Sequence, residues 1–173
     1  MRSVPTYTDP KLQDAKVQEL NTLLLASGHI EFAFPIVHMG YNKDGDTYPS
    51  VYRNDGSFKN EMLFPDNKVK SFTFFEFNGA DDENDENGTV YDLSLLYWGN
   101  LQRMNPTKLY DFTSEIIQDL LIIFKNNDCF DISFETEDVF NLYSMYLEEK
   151  RQTLMRPNTA FRINLKVRGI VCE

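Results

Sequence analysis

An α+β fold is predicted, with an antiparallel or mixed sheet and about three helices packed on it in a single domain. Three features lead to it. Stretches of helical and alternating hydrophobicity follow one another as helix, several strands, helix, strand, helix, strand. Asp44-Gly45, Asp55-Gly56 and Asn87-Gly88 place residues that accept positive φ where tight hairpins need them. Hydrophobic residues make up 42% of the 173 positions, enough to build a core, so global disorder is not expected.

Residues 1–9 are polar, contain Pro5 and read as a flexible arm, leaving residues 10–173 as the domain. Asp9 followed by Pro10 has the form of an N-cap and a first helical position. A helix over 10–26 then places Val17, Leu20 and Leu24 on one side, and Ser27-Gly28 stops it. Residues 29–37 alternate, with Ile30, Phe32, Phe34 and Ile36 sharing one face of a strand that Pro35 pushes towards a sheet edge. Short strands are expected over 48–53 and 61–64. In the strand at 70–77, Phe72 and Phe74 point to one side and Phe75 and Phe77 to the other, so it is covered on both faces.

Residues 79–88 read as an acidic loop and 90–98 as the next strand. Asn105-Pro106-Thr107 opens the strongest helix, ending at Asn126-Asn127-Asp128, with Leu109, Phe112, Ile116, Leu120, Ile123 and Phe124 on its buried side. Phe130, Ile132 and Phe134 alternate as a strand. A third helix over 137–152 carries Val139, Leu142, Tyr143, Tyr146 and Leu147 as a stripe, and Pro157-Asn158 breaks the chain. The last strand, 160–172, alternates most cleanly. Phe161, Ile163, Leu165 and Val167 face the core, and Arg162, Asn164, Lys166 and Arg168 face solvent.

Net charge is −10, from 27 acids against 17 bases, which repels nucleic-acid backbone and anionic lipid unless bases cluster. Fourteen Phe and nine Tyr suit either a Phe-rich core or a surface that another chain covers. Cys129 and Cys172 lie far apart, form no metal-type spacing, and are expected to be buried, reduced thiols. The opening residues carry no apolar run, so no cleavable signal is expected, and the longest apolar clusters of the sequence are far short of a membrane span.

No pattern points to catalysis, a cofactor or a metal. Residues 81–86 are rich in hard oxygen ligands but lack the central glycine of a calcium loop; Asn42-Lys43-Asp44-Gly45-Asp46 comes closer but has no suitable glutamate downstream. Both read as solvated hairpin loops. His29 and His38 stand at the ends of one expected strand, roughly 30 Å apart if extended, too far to share a metal. There is no nucleophile elbow, no glycine-rich phosphate loop and no cysteine in a reactive setting.

Charge is unevenly distributed. Between Glu149 and Glu173 there is no acid, while Lys150, Arg151, Arg156, Arg162, Lys166 and Arg168 fall there. The basic face of the last strand, Arg162, Lys166 and Arg168, is a solvated face, an oligomer interface or a nucleic-acid backbone groove, and the overall charge argues against the last. As an oligomer interface it meets Asp81, Asp82, Glu83, Asp85 and Glu86 of a neighbouring copy, and complementary patches on one chain favour head-to-tail contacts that close into rings. Reversing the three bases to Glu is expected to weaken assembly and leave the monomer folded.

Three stretches carry a resemblance: residues 66–76, from Asp66 through Phe72-Thr73-Phe74-Phe75-Glu76; residues 93–101, with Leu95-Leu96-Tyr97-Trp98; and residues 157–165, with Ala160-Phe161-Arg162-Ile163. In this order they resemble the tail-terminator and head-to-tail neck ring proteins of tailed bacteriophages. The texture, acidic and rich in Asn, Lys, Phe and Tyr, is similar to phages of gut Bacteroidetes. The resemblance implies a structural virion protein, not an enzyme, with no cofactor. It would form a six- or twelve-fold ring of itself, contact portal, adaptor or tail proteins, and let DNA slide through the lumen without sequence-specific binding. It would assemble in the host bacterial cytoplasm and involve no membrane. The alternatives are a non-enzymatic interaction module of a prophage or host bacterium, and a small enzyme of unknown type.

Overall fold

The computed structural model describes residues 7, 10, 12–52, 60–63, 68–82, 89–145 and 157–169. The elements bounded within the described residues are three helices and eight strands: α1 (Gln13–Ala26), β1 (Phe32–Ile36), β2 (His38–Tyr41), β3 (Thr47–Tyr52), β4 (Asn60–Met62), β5 (Ser71–Asp82), β6 (Thr89–Asn100), α2 (Leu101–Met104), α3 (Thr113–Lys125), β7 (Cys129–Glu135) and β8 (Asn158–Arg168). Five strands form a mixed sheet in the order β1-β5-β6-β8-β7, in which only β1 and β5 run parallel. Strands β2, β3 and β4 form a separate antiparallel sheet. The mixed α/β single domain matches the predicted class.

Both faces of the large sheet are covered, because alternate residues of β5 and β6 are apolar on both sides. On one face, Phe75, Leu93, Leu95, Tyr97, Phe161, Ile163, Leu165 and Val167 pack against α1 (Val17, Leu20, Leu24) and α3 (Ile116, Ile117, Leu120, Phe124). On the other, Phe72, Phe74, Leu96, Trp98 and Ala160 pack under Val51, Leu63 and the segment carrying Val139, Phe140 and Tyr143. The rings are ordered: Tyr97 stacks on Phe161 with centroids 4.5 Å apart, and Phe72 on Trp98 at 5.6 Å. Each such pair adds about 1 kcal/mol to the burial of its rings.

Helix α1 begins at Gln13, three residues beyond Pro10, because Leu12 sits at φ 53 and cannot continue a helix backwards. The Asp9 cap lies outside the described residues. The predicted stop holds: Ser27 closes the last turn and Gly28 takes φ 78, a left-handed conformation that glycine adopts without strain.

Four other expectations are corrected. Ile30 and Ile36 do not share a face with Phe32 and Phe34: the isoleucines join the helix-side core and the phenylalanines the opposite one. The β1–β5 register shifts between Ala33 and Ile36, around Pro35, which has no N–H for a regular ladder. Phe77 is 43% exposed, although its ring lies 6.5 Å from that of Tyr91. The helix expected from 105 begins at Thr113: Asn105 is extended before Pro106, and residues 105–112 form a loop in which Leu109 is 96% exposed. The third helix expected from 137 is preceded by a turn, with Asp138 at φ 52, and within the expected range residues 144 and 145 are helical. Val139 and Tyr143 are buried as expected, but Phe140 is buried with them and Leu142 is exposed. Tyr146, Leu147 and the remainder to 152 lie outside the described residues.

Candidate interaction surface

The basic face predicted for β8 exists, but the fold gives its three cations different surroundings. Arg162 is nearly enclosed. Its Nη1 stands 2.9 Å from Oε2 of Glu76, with side chains 15% and 8% exposed, and its Nη2 donates to the Val139 carbonyl at 3.3 Å. Tyr143 donates to the other carboxylate oxygen of Glu76 at 2.5 Å. This cluster ties residues 139–143 to the large sheet. The same segment reaches the small sheet, where Ser144 and Thr47 exchange hydrogen bonds and Ser144 Oγ donates to Asp46 Oδ1. Arg162 is therefore a structural cation and not a solvent-side position.

Lys166 is half-exposed and 3.7 Å from Asp131 of β7, and Arg168 lies over the Phe130 ring at 5.2 Å. On the acidic side, Asp81 falls at the end of β5; it pairs in register with Val90, and Val90 with Arg168. Asp81 and Arg168 thus occupy one row of the same sheet, about 10 Å apart at two strand spacings. The fold gathers these charges at one end of one chain instead of on opposite flanks. Asp82 is the last residue of β5; Glu83, Asp85 and Glu86 lie outside the described residues.

Beside Arg162, a row of side-chain hydrogen bonds crosses four strands. Asn78 Nδ2 donates to Ser94 Oγ at 2.8 Å, Ser94 Oγ to Asn164 Oδ1 at 2.7 Å, and Asn164 Nδ2 to Glu135 at 3.0 Å. Satisfied in this way, the polar half of the sheet face holds register. Sequence reasoning missed Glu76, although an acid set within Phe72-Thr73-Phe74-Phe75-Glu76-Phe77 is the available signal: a charge inside an apolar strand needs a partner.

The other residues weighed for chemistry serve local structure. Asn42 Oδ1 accepts from the backbone N–H groups of Asp44 and Asp46, and its Nδ2 donates to the Asp46 carboxylate, so the loop closes as a turn on its own polar groups. No group of acids, histidines and cysteines among the described residues is arranged to hold a metal ion. His29 and His38 do not end a common strand: His29 precedes β1 and pairs with Asp119 of α3 at 2.8 Å, while His38 opens β2 in the other sheet. Burial, only partly offset by Lys16, pushes the Cys129 thiol up to about 12. Cys129 is a free, buried cysteine, and Cys172 lies outside the described residues. Alkylation mapped by peptide mass is expected to leave Cys129 unmodified in the folded protein at mildly alkaline pH and to modify it in denaturant. Rapid modification of the folded protein would show an accessible thiolate instead.

The least expected surface lies where α2, α3, β7 and β8 meet. The loop 105–112 is pinned throughout. Asn105 Oδ1 accepts from the Thr107 N–H and hydroxyl, Asp111 Oδ1 from those of Thr113, and the Thr113 hydroxyl, its own proton given to Asp111, accepts from the Thr159 hydroxyl at 2.8 Å. Glu115 binds Lys108 and accepts from the Tyr110 hydroxyl at 2.9 Å; these partners hold its carboxyl below the usual carboxylate range. The Lys108 ammonium also sits 4.7 Å from the Phe112 ring centroid. From this braced loop Leu109 projects at 96% exposure, beside Tyr110 at 57%. Two adjoining clefts flank it and share Asp111. One, of about 210 Å³, lies beside Leu109, Tyr110 and Pro157; the other, of about 620 Å³, is walled by Phe134, Ile117 and Thr159. Phe134, on the edge strand β7, is itself 52% exposed.

No protein-family model, curated protein or solved structure matches this chain. Among the described residues no helix is long and apolar enough to cross a membrane.

Proposed function

We propose that this chain is a structural subunit that acts by assembly and not by catalysis: a ring protein of a phage head-to-tail connector, neck ring or tail terminator, joining portal or adaptor to tail as a six- or twelve-fold ring. One observation carries the assembly reading: a loop braced by hydrogen bonds holds Leu109 almost wholly in water beside Tyr110. A single exposed leucine is ordinary, but a preorganised one beside an exposed ring and a cleft has the form of an interface anchor. The layout of the edges agrees with head-to-tail closure. Among the described residues, β7 ends the large sheet on one side, and β1 ends it on the other before leading into β2. The ring and its place in a virion come from the resemblance in element order and sequence texture, and the acidic balance suits a lumen through which DNA slides.

Replacing Leu109 by Asp tests the reading. In analytical ultracentrifugation the native protein is expected to form six- or twelve-fold particles, alone or with the neighbouring virion protein. L109D is expected to assemble at least about tenfold more weakly, since a central anchor contributes about 2 kcal/mol or more. Its thermal unfolding should match that of the native chain, because the side chain is in solvent. Unchanged assembly in L109D would remove this surface from the account.

A further inference from the structure

We propose that the second half of β7, from Ser133 onward, is a docking edge for an extended, basic segment of a neighbouring protein chain, which adds to the large sheet as a further strand. Within the described residues β7 pairs with β8 on one side and with no strand on the other. Ser133, Phe134, Glu135, Thr136 and Glu137 are all exposed there. An exposed edge offers backbone donors and acceptors in a row, which an extended peptide satisfies.

The chemistry of the occupant follows from a repeat within β7. Phe130-Asp131 and Phe134-Glu135 are the same ring-and-acid pair, four residues apart. The first pair already holds cations of its own chain: Arg168 lies over Phe130, and Lys166 lies beside Asp131. At the second pair no cation of the described residues stands over Phe134, and the cation opposite Glu135 in the ladder, Arg162, is turned to Glu76, so that the Glu135 carboxylate accepts only from the Asn164 amide. From Asn126 to Asp138 the sequence holds five acids and no base. A lysine- or arginine-bearing strand would complete at Phe134-Glu135 the arrangement already seen at Phe130-Asp131. The cleft of about 620 Å³ walled by Phe134, Thr136 and Ile117 gives one of its side chains a place to lie. Two copies of β7 are a poor match for each other. Their acids would face one another, and the register shift between Phe130 and Ser133, with Asp131 at φ 49, bends the strand.

The inference rests on the assembly reading only in that the segment belongs to another chain, and it has its own test. The probe is an eight-residue peptide of alternating lysine and valine, titrated into the full chain with amide NMR as the readout at physiological ionic strength. Shifts are expected at Ser133, Phe134, Glu135 and Thr136. Methylating alternate backbone nitrogens of the peptide keeps its charge but removes its strand hydrogen bonds, and is expected to weaken binding at least about tenfold. The same loss is expected from Glu135→Lys with Glu137→Lys, and a glutamate-valine peptide is expected not to bind. Equal binding of the methylated peptide, or shifts elsewhere, would reduce the edge to nonspecific attraction and overturn the proposal, as would no binding of the lysine peptide. L109D should leave the peptide signal unchanged. If L109D assembles normally while the peptide still docks at β7, the Leu109 surface fails and the docking edge stands.

Discussion

Arg162→Glu is expected to unfold the protein or to bring it close to unfolding at 25 °C. The native guanidinium faces Glu76 from 2.9 Å, with both side chains largely out of water. Removing one partner of a buried pair costs about 3–5 kcal/mol, because the other charge stays desolvated and alone. Reversal adds a second carboxylate to the same enclosure. Against a total stability of about 5–15 kcal/mol, that loss is decisive. A chain carrying Arg162→Met together with Glu76→Gln should recover most of it, since the glutamine still accepts from Tyr143 and no charge is left unpaired. Lys166→Glu is the control: Lys166 is 36% exposed with its partner Asp131 at 67%, and the change is expected to stay within about 1 kcal/mol. Urea melts followed by circular dichroism separate the three. If R162E and K166E melt alike, the enclosed ion pair is not what ties residues 139–143 to the sheet. The triple reversal of Arg162, Lys166 and Arg168 is consequently expected to fail at folding before it reports on assembly.

Ile116→Asp is expected to abolish the folded state through the opposite face of the sheet. Ile116 is fully buried between α3 and the sheet, in the cluster that holds Leu20, Leu95 and Ile163. An aspartate there removes a core side chain and leaves a charge with no designed partner, a loss beyond about 4 kcal/mol. Ile116→Val in the same position removes one methylene and is expected to cost about 0.5–1.5 kcal/mol. A cooperative, native-like melt for I116D would mean that α3 does not pack as described.

What could be read from the sequence was what periodicity alone decides. The alternation of Phe161, Ile163, Leu165 and Val167, the two-faced run at Phe72, Phe74 and Phe75, and the stripe Val17, Leu20 and Leu24 each define a buried face without outside information. Where a local backbone feature interrupted the period, the reading failed. Pro35 and the register shift beside it split Ile36 from Phe32 and Phe34, and Ile30 lies ahead of β1, beyond a bend at Glu31. Pro106 and the Asn105 turn stopped a helix that the spacing of Leu109 and Phe112 suggested. The parallel pairing of β1 with β5 and the separation of β2–β4 into their own sheet depend on long-range packing.

The candidate surface was less legible for the same reason. Lys166 and Arg168 were placed on the correct face of β8, but that their partners sit on β7 of the same chain could only follow from strand order. Leu109 was assigned to a core because a leucine at helical spacing usually belongs there. Its exposure depends on eight residues of loop that a periodicity argument reads as helix.

A density map of the protein in its native assembly decides whether it works as a ring subunit. A closed circle of copies is expected, with Leu109 and Tyr110 covered by another chain. A lone copy in that assembly, with both side chains in solvent, would contradict it.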